Sequence, residues 1–479
     1  MGSPVNGFTV VTVGIGGRMI AKSPRTRYTF RSRMTDIPQP EPGKLRRTLG
    51  PVMLWGLGVG YVISGEYFGW NLGLPLGGTW GMLVATLIIT VMYVAFTLSY
   101  AELACAMPQA GGVFVYAQRA LGPFWGFQAG LVQVVEFVFA PPAIAMAIGA
   151  YVGMRLEVDP RVVGIAAFLI FTGLNIWGVK QAAMFELVVT VLAVGELLIF
   201  IGVAAPSFEL ANFNKNPLPN GWGGVFACLP FAIWFYLAIE GVANVAEEAR
   251  DPQRTVARGF GSAILTLVVL AVAVFFTSAG VGGWEAIVYE TPGAEPSDAP
   301  LPLALAQVIG KEHILYTLLL GIGLLGLIAS FHGIMLAAGR ATMEMGRSAF
   351  LPRALGRVNA TTQTPIVALV VNMLIGIAAI LSGRTAEIIT LAAFGAVSLY
   401  VISMVSLFVL RKNEPSLERP FRAVCYPIFP ALALLIAAVS FVAMAWFNLL
   451  IGGIFCGILG LGSGYFLATR RSNNGPKSA

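Results

Sequence analysis

The sequence predicts an all-α polytopic membrane protein with about twelve transmembrane helices, and three observations carry that prediction. First, 57% of the 479 residues are hydrophobic and only 11% charged, with a mean hydropathy of +0.80; a soluble domain carries about 25% charge. Second, apolar runs near 20 residues recur along the chain, each long enough to cross ~30 Å of hydrocarbon. Third, the Lys and Arg residues fall mostly on alternate loops.

Twelve spans are predicted in order, at 52–74, 80–106, 124–151, 160–178, 183–204, 222–247, 259–283, 314–340, 365–382, 387–410, 424–445 and 447–469. An even number puts both termini on one side. With these boundaries one side collects 25 of the 30 Lys and Arg residues, nine of them ahead of span one. The other side has only Arg155, Arg161, Lys215, Lys311 and Arg384. Positive charge is retained on the cytoplasmic side during insertion, so both termini are expected in the cytoplasm of a multi-pass inner or plasma membrane protein. Residues 1–47 read as a disordered basic N-terminus, 48–469 as the transmembrane domain and 470–479 as a tail. Residues 1–33 differ in character from the rest, which makes Met34 an alternative start; no signal peptide is read there. The long acidic loop from Trp284 to Glu312 is expected outside, either covering the entrance or serving as a plain linker.

Span one has an anomaly at its middle. A bilayer-crossing helix has no reason to place Ser64-Gly65-Glu66 there. Glycine and serine weaken a helix, glycine by roughly 0.5–1 kcal/mol, and a mid-bilayer carboxylate costs ~2.5–3.5 kcal/mol on insertion scales. Two readings follow: a discontinuous helix that exposes backbone groups to a solute, or a glycine-lined packing face with Glu66 paired to a neighbour. Span six has a counterpart in Trp234-Phe235-Tyr236-Leu237-Ala238-Ile239-Glu240-Gly241, where another Glu sits beside a glycine. Spans one and six cross in opposite directions as equivalents in two five-helix halves. Paired interruptions at such positions point to a mid-membrane transport site, which favours the discontinuous helix.

Composition also excludes function classes. The four cysteines, Cys105, Cys228, Cys425 and Cys456, lie in or beside apolar runs without metal-like spacing and read as small core residues. His313 and His332 are too few for a metal centre. No nucleophile–base pair or phosphate loop is present, so no enzyme activity, cofactor or metal is expected. The net charge of +7 resides in loops and tails and speaks to lipid, not nucleic acid.

Three loop segments carry a resemblance: Met107-Pro108-Gln109-Ala110-Gly111-Gly112-Val113-Phe114-Val115-Tyr116 through Arg119-Ala120-Leu121-Gly122-Pro123 after span two, Glu247-Glu248-Ala249-Arg250-Asp251-Pro252 after span six, and Ala338-Gly339-Arg340 with Met345-Gly346-Arg347 at span eight. The chain resembles the amino acid–polyamine–organocation (APC) superfamily of transporters. The run Ile63-Ser64-Gly65-Glu66-Tyr67-Phe68-Gly69-Trp70-Asn71 resembles its ethanolamine permease branch. The resemblance implies a five-plus-five inverted repeat with broken helices one and six plus two C-terminal helices, working by alternating access. The substrate would lie between spans one, three, six, eight and ten. It places substrate contacts at Ser64, Gly65, Glu66 and Tyr67 and at Tyr236, Leu237, Ala238 and Ile239.

In amino acid carriers of this superfamily a restarting half-helix receives the substrate carboxylate at its positive end. Here Glu66 occupies that neighbourhood, which suits a small ammonium with a hydroxyl and no acid group, such as ethanolamine. An amino acid or another amine such as choline is the alternative substrate. Glu66 either meets the amine or caps its own helix. Glu136, with Gln133 one turn earlier, is at mid-depth in span three and is a counter-charge candidate or a buried polar partner; Glu240 is a site residue or a brace for the restarting half-helix. Many proton-coupled relatives carry a lysine three residues after the threonine of span five. That position is Ala193 here, so Glu196 or another acid becomes the coupling candidate, with Ser330 and His332 as weaker ones. Tyr67, Phe68, Trp234, Tyr236 and Phe394 are candidates to box an ammonium by cation–π contact. The coupling ion, H+ or Na+, and the oligomeric state stay open.

Overall fold

A computed structural model describes residues 49–109, 111–177 and 182–473. The basic N-terminal segment with Met34, Ala110, Lys180 and the end of the tail lie outside the described residues. Helices, continuous or interrupted, occupy each of the twelve predicted stretches among the described residues. Nine helices among the described residues are long and apolar enough to cross a membrane. Span nine, Ile366–Ser382, is shorter at 17 residues, and spans one and six are interrupted.

Burial sorts the spans. Pro123–Gly153 (span three) has 89% of its most apolar window buried within the protein, and Thr385–Asn413 (span ten) has 78%. The corresponding share is 28% for Pro160–Trp177 (span four) and for Ile428–Phe447 (span eleven), and 17% for Leu449–Thr469 in span twelve. Spans three and ten are therefore central, and their apolar residues pack on protein. Spans four, eleven and twelve turn most of their side chains outward, where lipid is the solvent. This corrects the reading of the cysteines: Cys105 and Cys228 are buried, but Cys425 and Cys456 are exposed on the peripheral C-terminal part.

Span two runs from Leu74 to Ala106, earlier than its predicted start, because the chain kinks at Gly78 instead of ending there. Gly78 has φ +63°, and a Cβ at that position would collide with the Pro217 carbonyl, so only glycine fits. At the arginine-rich end of the protein, Leu49 ahead of span one forms a parallel bridge with Ala249 after span six. Arg340 of span eight, Ile314–Arg347, pairs with Glu248 at 3.1 Å at that same end.

The acidic loop is more than a linker. It contains helices Trp284–Val288 and Pro300–Ile309, and the turn between them reaches two spans. The Ser297 carbonyl accepts from Asn71 Nδ2 of span one at 2.8 Å. The Asp298 carboxylate accepts from Thr385 Oγ1, at the start of span ten, at 2.8 Å.

Candidate functional site

Span one begins as a regular helix, Pro51–Val62, and Ile63 N still donates to Val59 O at 2.8 Å. The geometry then tightens. Glu66 N donates to Ile63 O at 3.0 Å, closing a three-residue turn, and Ser64–Tyr67 form a single helical turn. The larger discontinuity follows at Phe68, which is fully extended, and at Gly69, with φ +89°. The chain resumes at Trp70–Gly73, with Asn71 Oδ1 accepting from Gly69 N at 3.0 Å. The expected restart near Glu66 is therefore corrected: Glu66 belongs to the last turn before the main break. The reason is local, since only Gly69 can take the left-handed backbone that redirects the chain.

Span six breaks as its sequence suggests. Helix Leu229–Trp234 ends, residues 235–240 form turns, and Gly241–Asn244 restarts beside Glu240. Ala238 has φ +78°, an unusual conformation for a residue with a Cβ. Such local strain is held in place by surrounding structure and is concentrated at functional segments. The two breaks touch backbone to backbone. A Cβ on Gly65 would run into the Trp234 carbonyl oxygen and lie 3.1 Å from Phe235 Cα. Rings fasten the junction: Phe68 meets Trp234 edge-on at 5.5 Å, and Trp70 stacks on Phe235 at 5.7 Å.

Polar groups gather around this junction in three places. The first is Glu66 itself. It is fully buried, and neither carboxyl oxygen has a hydrogen-bond partner among the described residues. Its carboxyl lies within electrostatic range of the Tyr236 hydroxyl. Tyr236 exchanges a 2.6 Å hydrogen bond with Thr90 Oγ1 of span two.

The second ties span one to spans five and eight. Tyr67 OH donates to Glu196 Oε2 at 2.6 Å and lies 3.1 Å from the Ala193 carbonyl. Its ring fits a notch made by Gly323 and Gly326, where a Cβ would come within 3.1 Å and 2.9 Å of it. Tyr67 thus sets its ring and hydroxyl against spans five and eight. Ser330 Oγ is 2.8 Å from both the Tyr61 carbonyl and Ser64 Oγ, so Ser330 and Ser64 hold the approach to the break. Glu186 is the acid the sequence reading omits. It is buried, one of its oxygens lacks a partner, and it faces Gly60 and Gly333 at the meeting of spans one, five and eight. Its spacing of one helical turn before Thr190 is the signal that could have found it.

The third lies between spans three, six and ten. The carboxyl of Glu136 faces that of Glu240, and the backbone of Ala238 also faces Glu136. Gly395 of span ten backs onto Glu136, where a Cβ would lie 2.8 Å from the Glu136 nitrogen. Tyr400 OH donates to Glu240 Oε2 at 3.1 Å and is 2.9 Å from Tyr93 OH. Tyr93 in turn donates to the Ile233 carbonyl at 3.2 Å and packs on the Tyr236 ring at 5.1 Å.

The remaining candidates divide. Leu237 and Ile239 are buried in the span-six break. Gln133 donates to Asn244 Oδ1 at 3.4 Å and lines a cavity with Phe114 and Glu344. Phe394 is turned toward the last two spans, stacked on Phe455 at 5.4 Å and edge-on to Phe441 at 5.5 Å. Span ten presents Gly395, not Phe394, to Glu136. His332 packs on Phe171 of span four at a ring distance of 6.0 Å.

An all-helical membrane chain whose two interrupted spans meet at their breaks belongs to the class of discontinuous-helix transporters. The family model described as amino acid permease matches residues 49–458, and the chain belongs to that family, within the APC superfamily; it is a transporter, not an enzyme. An uncharacterized transporter of Rhizobium meliloti is 30% identical over 407 residues, covering 82% of this chain and 85% of that protein. The branched-chain amino acid permease BcaP of Bacillus subtilis is 25% identical, covering 84% and 89% of the two chains. The serine/threonine exchanger SteT of Bacillus subtilis is 24% identical, with 82% and 90% covered.

Proposed function

We propose that this transporter carries a small protonated amine, ethanolamine in particular, into the cell by alternating access. The observation that carries the proposal is Glu66. A carboxyl with no exposure and no hydrogen-bond donor among the described residues, set where two broken helices touch, is placed to receive a cation. An amino acid substrate would bring its own carboxylate against it. Ser64 and Gly65 form the same turn, and Tyr236 and the backbone of 237–239 supply the opposite wall from span six. Glu136 and Glu240 face each other, so the amine's counter-charge is assigned to Glu66 alone. The arginine-rich end, with Arg340 and Glu248, is the cytoplasmic face, and both termini lie there.

A second reading is supported by the relatives' names, which include a branched-chain amino acid permease and a serine/threonine exchanger. Uptake into proteoliposomes with labelled ethanolamine, choline and alanine separates the two. Saturable ethanolamine uptake with choline and alanine as poor competitors is expected. Saturable alanine uptake that excess ethanolamine leaves untouched would overturn the amine reading.

A further inference from the structure

We propose that Asn71 is a positioning residue, which makes the shape of the span-one break depend on whether the acidic loop between spans seven and eight is docked. The inference rests on the site placed at the breaks of spans one and six, and not on which solute that site carries. Asn71 is fully buried, two residues after Gly69. Its single amide makes two contacts that belong to different parts of the protein. Oδ1 accepts from Gly69 N at 3.0 Å, and Nδ2 donates to the Ser297 carbonyl at 2.8 Å. Chemistry fixes this orientation, because the flipped amide would set donor against donor and acceptor against acceptor. The two contacts therefore stand or fall together. Turning the amide to find Nδ2 a new partner takes Oδ1 away from Gly69 N, and a buried donor left without a partner is costly.

Each end of this link reaches further. On the side of the break, Gly69 carries the left-handed backbone, at φ +89°, that redirects the chain. The residues flanking it are the ones that meet span six: Phe68 is edge-on to Trp234, and Trp70 stacks on Phe235. Trp70 Nε1 also donates to the Glu66 carbonyl at 3.2 Å, so the turn that carries Glu66 is tied to the same few residues. On the loop side, Ser297 N donates to the Val288 carbonyl at 2.7 Å, and Ser297 Oγ accepts from Ala299 N at 3.3 Å. The segment is thereby folded on itself and docks as one piece. Its next residue, Asp298, accepts from Thr385 Oγ1 of span ten at 2.8 Å. Two consecutive loop residues thus clasp span ten to the break of span one. Undocking takes the Ser297 carbonyl from Asn71, frees the amide to turn and releases Gly69 N. Phe68, Trp70 and the Glu66 turn then lose the backbone that sets them. Linkage makes the effect reciprocal: a solute that binds the docked shape more tightly strengthens docking by the same factor.

Hydrogen exchange of the full chain in lipid nanodiscs, read in segments 289–300 and 66–73, is the test. Thr385→Val removes the hydroxyl that Asp298 holds and lies outside span one. In substrate-free protein it is expected to speed exchange roughly tenfold in 289–300, and by a comparable factor in 66–73. Asn71→Asp keeps an acceptor for Gly69 N but sets a second oxygen against the Ser297 carbonyl, which cuts the link at one end. It is expected to speed exchange in 289–300 and, combined with Thr385→Val, to leave 66–73 indifferent to the change in span ten. Saturating ethanolamine is expected to slow exchange in 289–300 of the wild type and to leave it unchanged in Asn71→Asp. Unchanged exchange in 66–73 of Thr385→Val would overturn the proposal and make Asn71 a plain brace. Slowing by ethanolamine that survives in Asn71→Asp would overturn it equally. Should Asn71→Asp fail to fold, the response of 66–73 to Thr385→Val decides by itself. If the wild type binds alanine and not ethanolamine, the amine reading fails; alanine then serves as the bound solute, and the substrate-free comparison stands as before.

Discussion

Replacing Glu66 by Gln isolates the charge from everything else at the junction. The side chain keeps its size and an acceptor, and among the described residues no hydrogen bond to Glu66's carboxyl is there to be broken. An ammonium about 4 Å from a carboxylate at an effective dielectric constant near 20 gains about 4 kcal/mol. Part of that offsets desolvation of the two ions, and the amide dipole retains some attraction. A net loss of about 2–3 kcal/mol is therefore expected, equivalent to roughly 30- to 150-fold weaker binding. Direct binding of labelled ethanolamine to the purified protein at fixed pH and salt measures it. The substrate-free variant should melt no lower than the wild type, because the substitution breaks no hydrogen bond to the Glu66 carboxyl among the described residues. A melting temperature no lower than the wild type's with unchanged affinity would show that Glu66 is buried for another purpose and does not face the amine. Weaker binding together with a lower melting temperature would mean that Glu66 supports the fold, and the charge argument would fail.

Three further outcomes follow from the geometry. Gly65→Ala should abolish uptake while the protein still inserts, because the new Cβ meets the Trp234 carbonyl and overpacking of this kind costs about 1–3 kcal/mol; transport assayed beside membrane yield checks it. Tyr67→Phe removes the donor to Glu196 and leaves that acid buried without it, a loss of about 1–3 kcal/mol in thermal stability; adding Glu196→Gln should recover part of the loss, and additive effects in the double variant would argue against the contact. Burial pushes the Asp298 carboxyl up from 3.8 to about 7. Between those values the docked segment holds a proton that the undocked one lacks, so docking is strongest in acid, weakens as pH rises to about 7 and is flat above. Hydrogen exchange in segment 289–300, corrected for intrinsic rates, should follow that course in the wild type and lose it in Asp298→Asn.

Much of this protein was legible from composition and spacing. Runs near 20 apolar residues determine spans, because lipid leaves backbone groups no partner outside the helix. That spans one and six are interrupted was visible because glycine beside glutamate is costly at mid-membrane, but the main break of span one falls at Phe68 and Gly69, past the Ser64-Gly65-Glu66 signal. The sequence also determined the family, through three loop segments.

Distances across the membrane were decided by the tertiary structure alone. Nothing local in Tyr67 or Phe394 says which neighbour its ring meets; the glycine notch of span eight and the aromatic cluster of the last two spans decide that. Glu136 and Glu240 are 104 positions apart in the chain, and only the packing of spans three, six and ten sets them face to face. A hydropathy pattern records that each acid is buried at a cost. Which groups share that burial depends on helix rotation and crossing, and these are properties of the assembled bundle.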